Sequence, residues 1–158
     1  MKKDTWDFVK RIEEMDDATL KKRIKAGMDY EIENKIRPIP YIGKEVLSVE
    51  FSYPELIARC PMTGVIDIYK IKLKFIPDKF TAELKSLKFY FWGYKGLPIS
   101  HEHIAAKVYQ DFKKVIKPQK LAILLMVASR GEFKTTIALG DEKLLQFSRP
   151  IPEENFAE

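Results

Sequence analysis

Hydrophobic and polar positions alternate most clearly between Val65 and Phe75. Val65, Asp67, Tyr69, Ile71, Leu73 and Phe75 fall on one side, and Ile66, Ile68, Lys70, Lys72 and Lys74 on the other. A period of two predicts a strand, with one face turning wet towards its end. Glu45–Tyr53 has a β-former composition and predicts a preceding strand, which Pro54 is expected to end. The apolar run Leu121–Val127, within Gln119–Ser129, predicts a buried strand. Arg130-Gly131-Glu132 turns the chain there, and Phe133–Leu139 alternates again as its partner. Helical spacing appears between the two strand pairs. Thr81–Lys95 places Leu84, Leu87, Phe91 and Tyr94 on one stripe before Gly96-Leu97-Pro98 breaks it. Ser100 then caps a helix over His101–Ile116 with Ile104, Val108, Phe112 and Val115 inward, stopped by Pro118.

Upstream, Phe8, Ile12, Met15, Leu20 and Ile24 predict a helix over Thr5–Ala26, capped by Thr5 or Asp4 and ended by Gly27. The acidic cluster Glu13–Asp17 is a point where it can divide into two shorter helices. Met28–Lys44, with Pro38, Pro40 and Gly43, reads as an extended arm. Helix and arm have two open roles, covering a neighbouring subunit or packing on their own domain. The order strand, strand, helix, helix, strand, strand implies an α+β class: a four-stranded antiparallel sheet with two helices on one face, plus an N-terminal helix. The expected division is an N-terminal helix and arm over residues 1–44 and one catalytic domain over 45–158.

Composition narrows this little. With 46% hydrophobic and 32% charged positions, the 158 residues suit one globular core. No apolar run is long enough for a membrane-spanning helix. Met1–Trp6 leads into no apolar segment of the secretory kind, so a cytoplasmic location is expected. A single cysteine excludes an internal disulfide and any site needing several thiolates, and no metal is expected. The net charge of +5 suits an anionic partner without choosing between a phosphorylated cofactor and RNA. No RNA-binding signature is present, and direct nucleic-acid binding is not expected.

Four clusters can carry chemistry. Cys60-Pro61-Met62-Thr63-Gly64-Val65-Ile66-Asp67 holds the single thiol and an acid that a Pro/Thr/Gly turn can fold back towards it. A thiolate nucleophile needs such a proton-handling partner, whereas a lone cysteine beside Leu56, Ile57 and Ala58 is also an ordinary core residue. Glu83-Leu84-Lys85-Ser86-Leu87-Lys88 opens the first core helix. Lys85 and Lys88 share a face where the helix N-terminus favours anions, a seat for phosphates or simply a solvated lysine face. Ser100-His101-Glu102-His103 opens the second helix, where His and Glu can hold a heterocycle or serve as capping chemistry. Arg130-Gly131 can fork onto a phosphate or form a plain hairpin turn. No Gly-rich phosphate loop occurs.

Taken in order, these motifs resemble the NADPH-dependent 7-cyano-7-deazaguanine reductases (QueF), the nitrile reductases of queuosine biosynthesis. The resemblance runs from Val46 to Leu139. It rests on Phe51-Ser52-Tyr53-Pro54-Glu55, Cys60–Asp67, the Glu-x-Lys-x-x-Lys helix motif at Glu83–Lys88, His101-Glu102 and Arg130-Gly131. It implies the tunnelling fold, built into rings with sites between subunits, commonly two stacked pentamers. It also implies that Cys60 attacks the nitrile of the 7-deazapurine to form a thioimide and that Asp67 donates a proton. Ala82, Glu83, Leu84, His101 and Glu102 would then line the substrate, and Leu84, Lys85, Lys88, Arg130 and Gly131 would contact NADPH. Two hydride transfers would give the aminomethyl product. The chain departs from the family pattern at Glu132, in place of the second Gly of Arg-Gly-Gly, and at Leu84, where many members have Ser.

Three other readings compete. A QueF-like amidinotransferase acting on the nitrile within tRNA would keep Cys60 and Asp67, but its relatives generally lack the Glu83–Lys88 motif. A GTP cyclohydrolase of the same fold needs two zinc-binding cysteines. A purine-binding ring protein without turnover would leave Cys60 buried and inert.

Overall fold

The computed structural model describes residues 14–146. The part of the predicted first helix before residue 14 lies outside them. A helix, α1 (Asp17–Asp29), starts at the acidic cluster, where the sequence allows a division, because the Asp16 carboxylate accepts from the Thr19 N–H and caps it. Gly27 does not end this helix. It lies inside α1 where a Cβ would stand 2.4 Å from the Pro98 carbonyl oxygen, so glycine permits a close approach here.

The arm holds a short strand, β1 (Pro38–Pro40), paired antiparallel with β4 (Phe80–Ala82). Both are three-residue strands, and β4 occupies the position where the sequence predicts the first turn of a helix. The main sheet contains β2 (Val49–Arg59), β3 (Ile66–Ile76), β5 (Lys120–Arg130) and β6 (Phe133–Gly140), in the order β2-β3-β5-β6 and antiparallel throughout. β2 runs through Pro54 rather than ending there. An irregularity between Tyr53 and Leu56 absorbs the proline on this edge strand, where no ladder hydrogen bond is needed from it.

Helices α2 (Leu84–Trp92) and α3 (His101–Ile116) cover one face of the sheet, α2 over β2 and α3 over β5 and β6. Beneath them lie the alternate positions of the strands: Leu56 and Ala58, then Tyr69, Ile71, Leu73 and Phe75, then Leu121, Ile123 and Leu125. Phe75 meets Phe112 edge-on with centroids 5.0 Å apart, and Tyr53 stacks on Phe91 at 4.9 Å. Each fully buried leucine, isoleucine or phenylalanine among them contributes about 1.5–3 kcal/mol. Two of the predicted stripes are corrected. Leu84 is 60% exposed because it is the first residue of α2, and Val115 is only half-buried while Ile116 is enclosed. Ile32 and Ile36 of the arm join the same core. Lys107 of α3 donates to the Met28 carbonyl at the end of α1, 3.2 Å away.

Candidate active site

Cys60 and Val65 close the hairpin between β2 and β3. The Cys60 N–H donates to the Val65 carbonyl (2.9 Å), and the Gly64 N–H returns to the Cys60 carbonyl (2.8 Å). Gly64 has φ +71°, the left-handed geometry that glycine adopts without strain. The register sets Asp67 opposite Ala58, so strand alternation puts Ala58, Cys60 and Asp67 on the helix-covered side. Cys60 remains partly accessible, while Asp67 is 3% exposed. Burial pushes the Cys60 thiol up, and the charge of Asp67 adds to this. The Thr63 hydroxyl and the N–H groups of Thr63 and Met62 outweigh both, holding the thiol below its ordinary range. The turn thus acidifies the sulfur that it presents.

The start of α3 is delivered to the same place. Leu97–Ile99 runs parallel to the end of β2: the Arg59 N–H donates to Leu97 (2.9 Å), and the Ile99 N–H to Arg59 (3.0 Å). His101 therefore begins its helix two residues beyond a segment bonded to Arg59, the neighbour of Cys60 in the chain. Its Nδ1 lies 3.0 Å from the hydroxyl of Tyr69, with the rings edge to face. Tyr69 is two residues beyond Asp67 and on the same face. Glu102 is exposed in the first turn of α3, and the Ser100 hydroxyl meets His103 Nδ1 at 2.6 Å instead of capping the helix through its side chain. The β5–β6 hairpin is at this end of the sheet as well, since Val127 pairs with Tyr69 and Arg130 with Phe133. Gly131 and Glu132 fill its turn, both with positive φ (54° and 70°).

Ala82, Glu83, Leu84, Lys85 and Lys88 are not brought there within one chain. They follow the other end of β3, an 11-residue strand, hence about 35 Å long. The Glu83 carboxylate caps α2, accepting from the Lys85 N–H (2.8 Å) and the Ser86 N–H (2.7 Å). Those bonds, Ser86 first, hold it below the usual carboxylate range. They also correct one expectation: these two N–H groups are already taken, which leaves the ammonium groups of Lys85 and Lys88 as the anion-attracting groups. Both lysines are exposed, and Lys88 Nζ sits 4.8 Å over the Trp92 ring. Ala82 is buried in β4. Among the described residues no group of three His, Cys, Asp or Glu is placed to hold a metal ion. Nor is any helix among them long and apolar enough to cross a membrane.

Two participants escaped sequence reasoning, Tyr69 and the Leu97–Ile99 segment, and Thr63 was read only as a turn residue, not as a donor to the sulfur. Tyr69 carried a usable signal, its shared parity with Asp67 in the alternating strand.

The family described as QueF-like protein matches residues 67–144. The NADPH-dependent 7-cyano-7-deazaguanine reductase of Chloroherpeton thalassium is 35% identical over 95 residues, 60% of this chain and 82% of that protein. The chain belongs to the QueF-like family. An identically named protein of Elusimicrobium minutum is also 35% identical, over 63% of this chain and 76% of its own length. The one from Aquifex aeolicus is 33% identical over 60% and 74%. Among solved structures, an archaeosine synthase QueF-Like in the apo form superposes with a TM-score of 0.54 at 14% identity, covering 62% of this chain and 94% of that one. That likeness concerns the fold, which for this QueF-like chain is the expected α+β tunnelling arrangement.

Proposed function

We propose that this chain is an NADPH-dependent 7-cyano-7-deazaguanine reductase, converting the nitrile to the aminomethyl group in queuosine biosynthesis. The observation that carries the reading is the acidified Cys60, partly accessible beside a buried acid, its neighbour Arg59 bonded to the segment that leads into α3, in a chain whose relatives bear that name. The Cys60 sulfur adds to the nitrile carbon, and one C–N π bond becomes the proton-accepting lone pair of a thioimide nitrogen. Asp67, across the hairpin, takes the proton of the Cys60 thiol as the sulfur attacks and delivers it to that nitrogen. NADPH, when bound, would supply hydride to that carbon twice. Between the two, the nitrogen lone pair expels the Cys60 sulfur as thiolate, so the C–S bond breaks and the second hydride meets an iminium carbon. His101 and Glu102 hold the heterocycle at the mouth of α3, Glu102 accepting from its amino and ring N–H groups.

Ala82, Glu83, Leu84, Lys85 and Lys88 stand at the opposite end of the sheet, so a complete site needs a second copy of the chain. In this reading a neighbouring subunit brings Ala82, Glu83, Leu84, Lys85 and Lys88 to the Cys60 of the next. Lys85 and Lys88 neutralise cofactor phosphate, and Arg130-Gly131 adds a further phosphate contact. Among the described residues β2 and β6 are each paired on one side only, which leaves edges through which the sheet can continue into a neighbouring subunit, in rings expected to be two stacked pentamers. The test is a stoichiometry with purified protein. Two NADPH oxidised per aminomethyl product is expected. Consumption of the nitrile with ammonia and without NADPH oxidation would replace reduction by amidinotransfer, and no turnover with either would leave only ligand binding.

A further inference from the structure

We propose that Tyr69 is a positioning residue that fixes the tautomer of His101, an inference that deepens the reductase reading and rests on it for the role of the histidine. Tyr69 is 1% exposed, so its hydroxyl requires a protein partner, and His101 Nδ1 at 3.0 Å meets that requirement. The rings touch edge to face, with centroids 5.6 Å apart and planes at 67°, so the imidazole is held in orientation as well as by one bond. A neutral imidazole has one protonated and one bare nitrogen. The bare nitrogen is the better acceptor and the phenol the better donor, so Tyr69 O–H donates to Nδ1. The proton of the ring is thereby assigned to Nε2. His101 then offers a hydrogen-bond donor to an acceptor atom of the bound heterocycle, while the adjacent carboxylate of Glu102 offers only acceptors. One residue recognises each kind of edge, and Tyr69 keeps the histidine from presenting the wrong one.

The experiment reads the tautomer directly. The chain contains two histidines, so 13C,15N-histidine labelling gives two ring signals, assigned with a His103→Gln variant. Magic-angle-spinning NMR of the sedimented assembly at pH 8 is expected to show His101 with Nε2 protonated, and Tyr69→Phe, which keeps the ring packing, to show mixed tautomers. In steady-state assays Tyr69→Phe should raise KM for the nitrile about threefold to tenfold with kcat changed less than about twofold. It should add nothing in a His101→Ala background. A wild-type ring protonated at Nδ1, or an unchanged tautomer in Tyr69→Phe, overturns the proposal. The wild-type spectrum alone decides the first point should the variant fail to fold. If wild-type protein oxidises NADPH but the variant keeps KM and tautomer, positioning fails and the reductase reading stands. If wild-type protein neither binds nor turns over the nitrile, the reductase reading fails while the spectrum still reports on the Tyr69–His101 bond.

Discussion

Gly27→Ala tests whether α1 is built against the segment that carries α3 to the cysteine. In an exposed helix interior this change stabilises by about 1 kcal/mol, because alanine is the better helix former. Here the new Cβ would stand 2.4 Å from the Pro98 carbonyl oxygen and 3.2 Å from Ile99 Cβ. Ordinary contact begins near 3.4 Å, so helix and loop must separate by about 1 Å. The loop cannot yield freely, since Leu97 and Ile99 are hydrogen-bonded on both sides of Pro98 to Arg59. Overpacking of this kind costs about 1–3 kcal/mol, which leaves a net destabilisation of up to about 2 kcal/mol after the helix gain. Thermal unfolding at matched protomer concentration should show the midpoint lowered, by up to about 8 °C. The same displacement loosens the Arg59–Ile99 pairing beside Cys60, so the rate of covalent capture of the nitrile should fall with stability. A higher midpoint with an unchanged capture rate would mean that Gly27 faces open space, and would refute the proposed contact.

Thr63→Val removes a hydroxyl that favours the Cys60 thiolate. With a thiol held below its ordinary range, thiolate persists to lower pH; losing Thr63 shifts the inflection of capture rate upward, and the rate at pH 7 should fall about threefold to tenfold. A pH profile that does not move contradicts this. Glu132→Gly relieves a left-handed glutamate in the β5–β6 turn, worth about 1 kcal/mol, against part of which glycine's own entropy acts. Unfolding should show a gain of about 0.5 kcal/mol, and KM for NADPH should drop about twofold as the turn loses its negative charge. Lys107→Met breaks the tie to the Met28 carbonyl and the ion pair with Asp111, and is expected to cost about 1–3 kcal/mol in denaturant titration while cofactor stoichiometry stays at two.

Local patterning explains what could be read in advance. The alternation from Asp67 to Phe75 sets both the strand and its buried face, while Val65, expected on that face, falls in the turn and is exposed. The period of α3 sets Ile104, Val108 and Phe112 inward, because each pattern needs only its own sequence neighbours. The spacing of Cys60 and Asp67 likewise announced a hairpin, since proline, threonine and glycine fix its turn. Long-range pairing was not legible. β1 and β4 are three-residue strands whose partners lie about forty residues apart, too short for a period to emerge. Pro54 signalled an end that an edge-strand irregularity tolerates, and Gly27 signalled a stop where tertiary packing requires a missing side chain. The hidden part of the site has the same origin. Leu97–Ile99 meets Arg59 across nearly forty residues, and no local pattern forecasts that contact.

The central claim is that the Cys60 sulfur is a nucleophile towards a nitrile. Intact-mass spectrometry of the protein incubated with 7-cyano-7-deazaguanine, in the absence of NADPH, measures this directly. The prediction is a mass increase of one whole ligand per chain, with no leaving group lost, absent in Cys60→Ala and discharged on addition of NADPH. An unmodified wild-type chain, or an adduct that survives in Cys60→Ala, would contradict it.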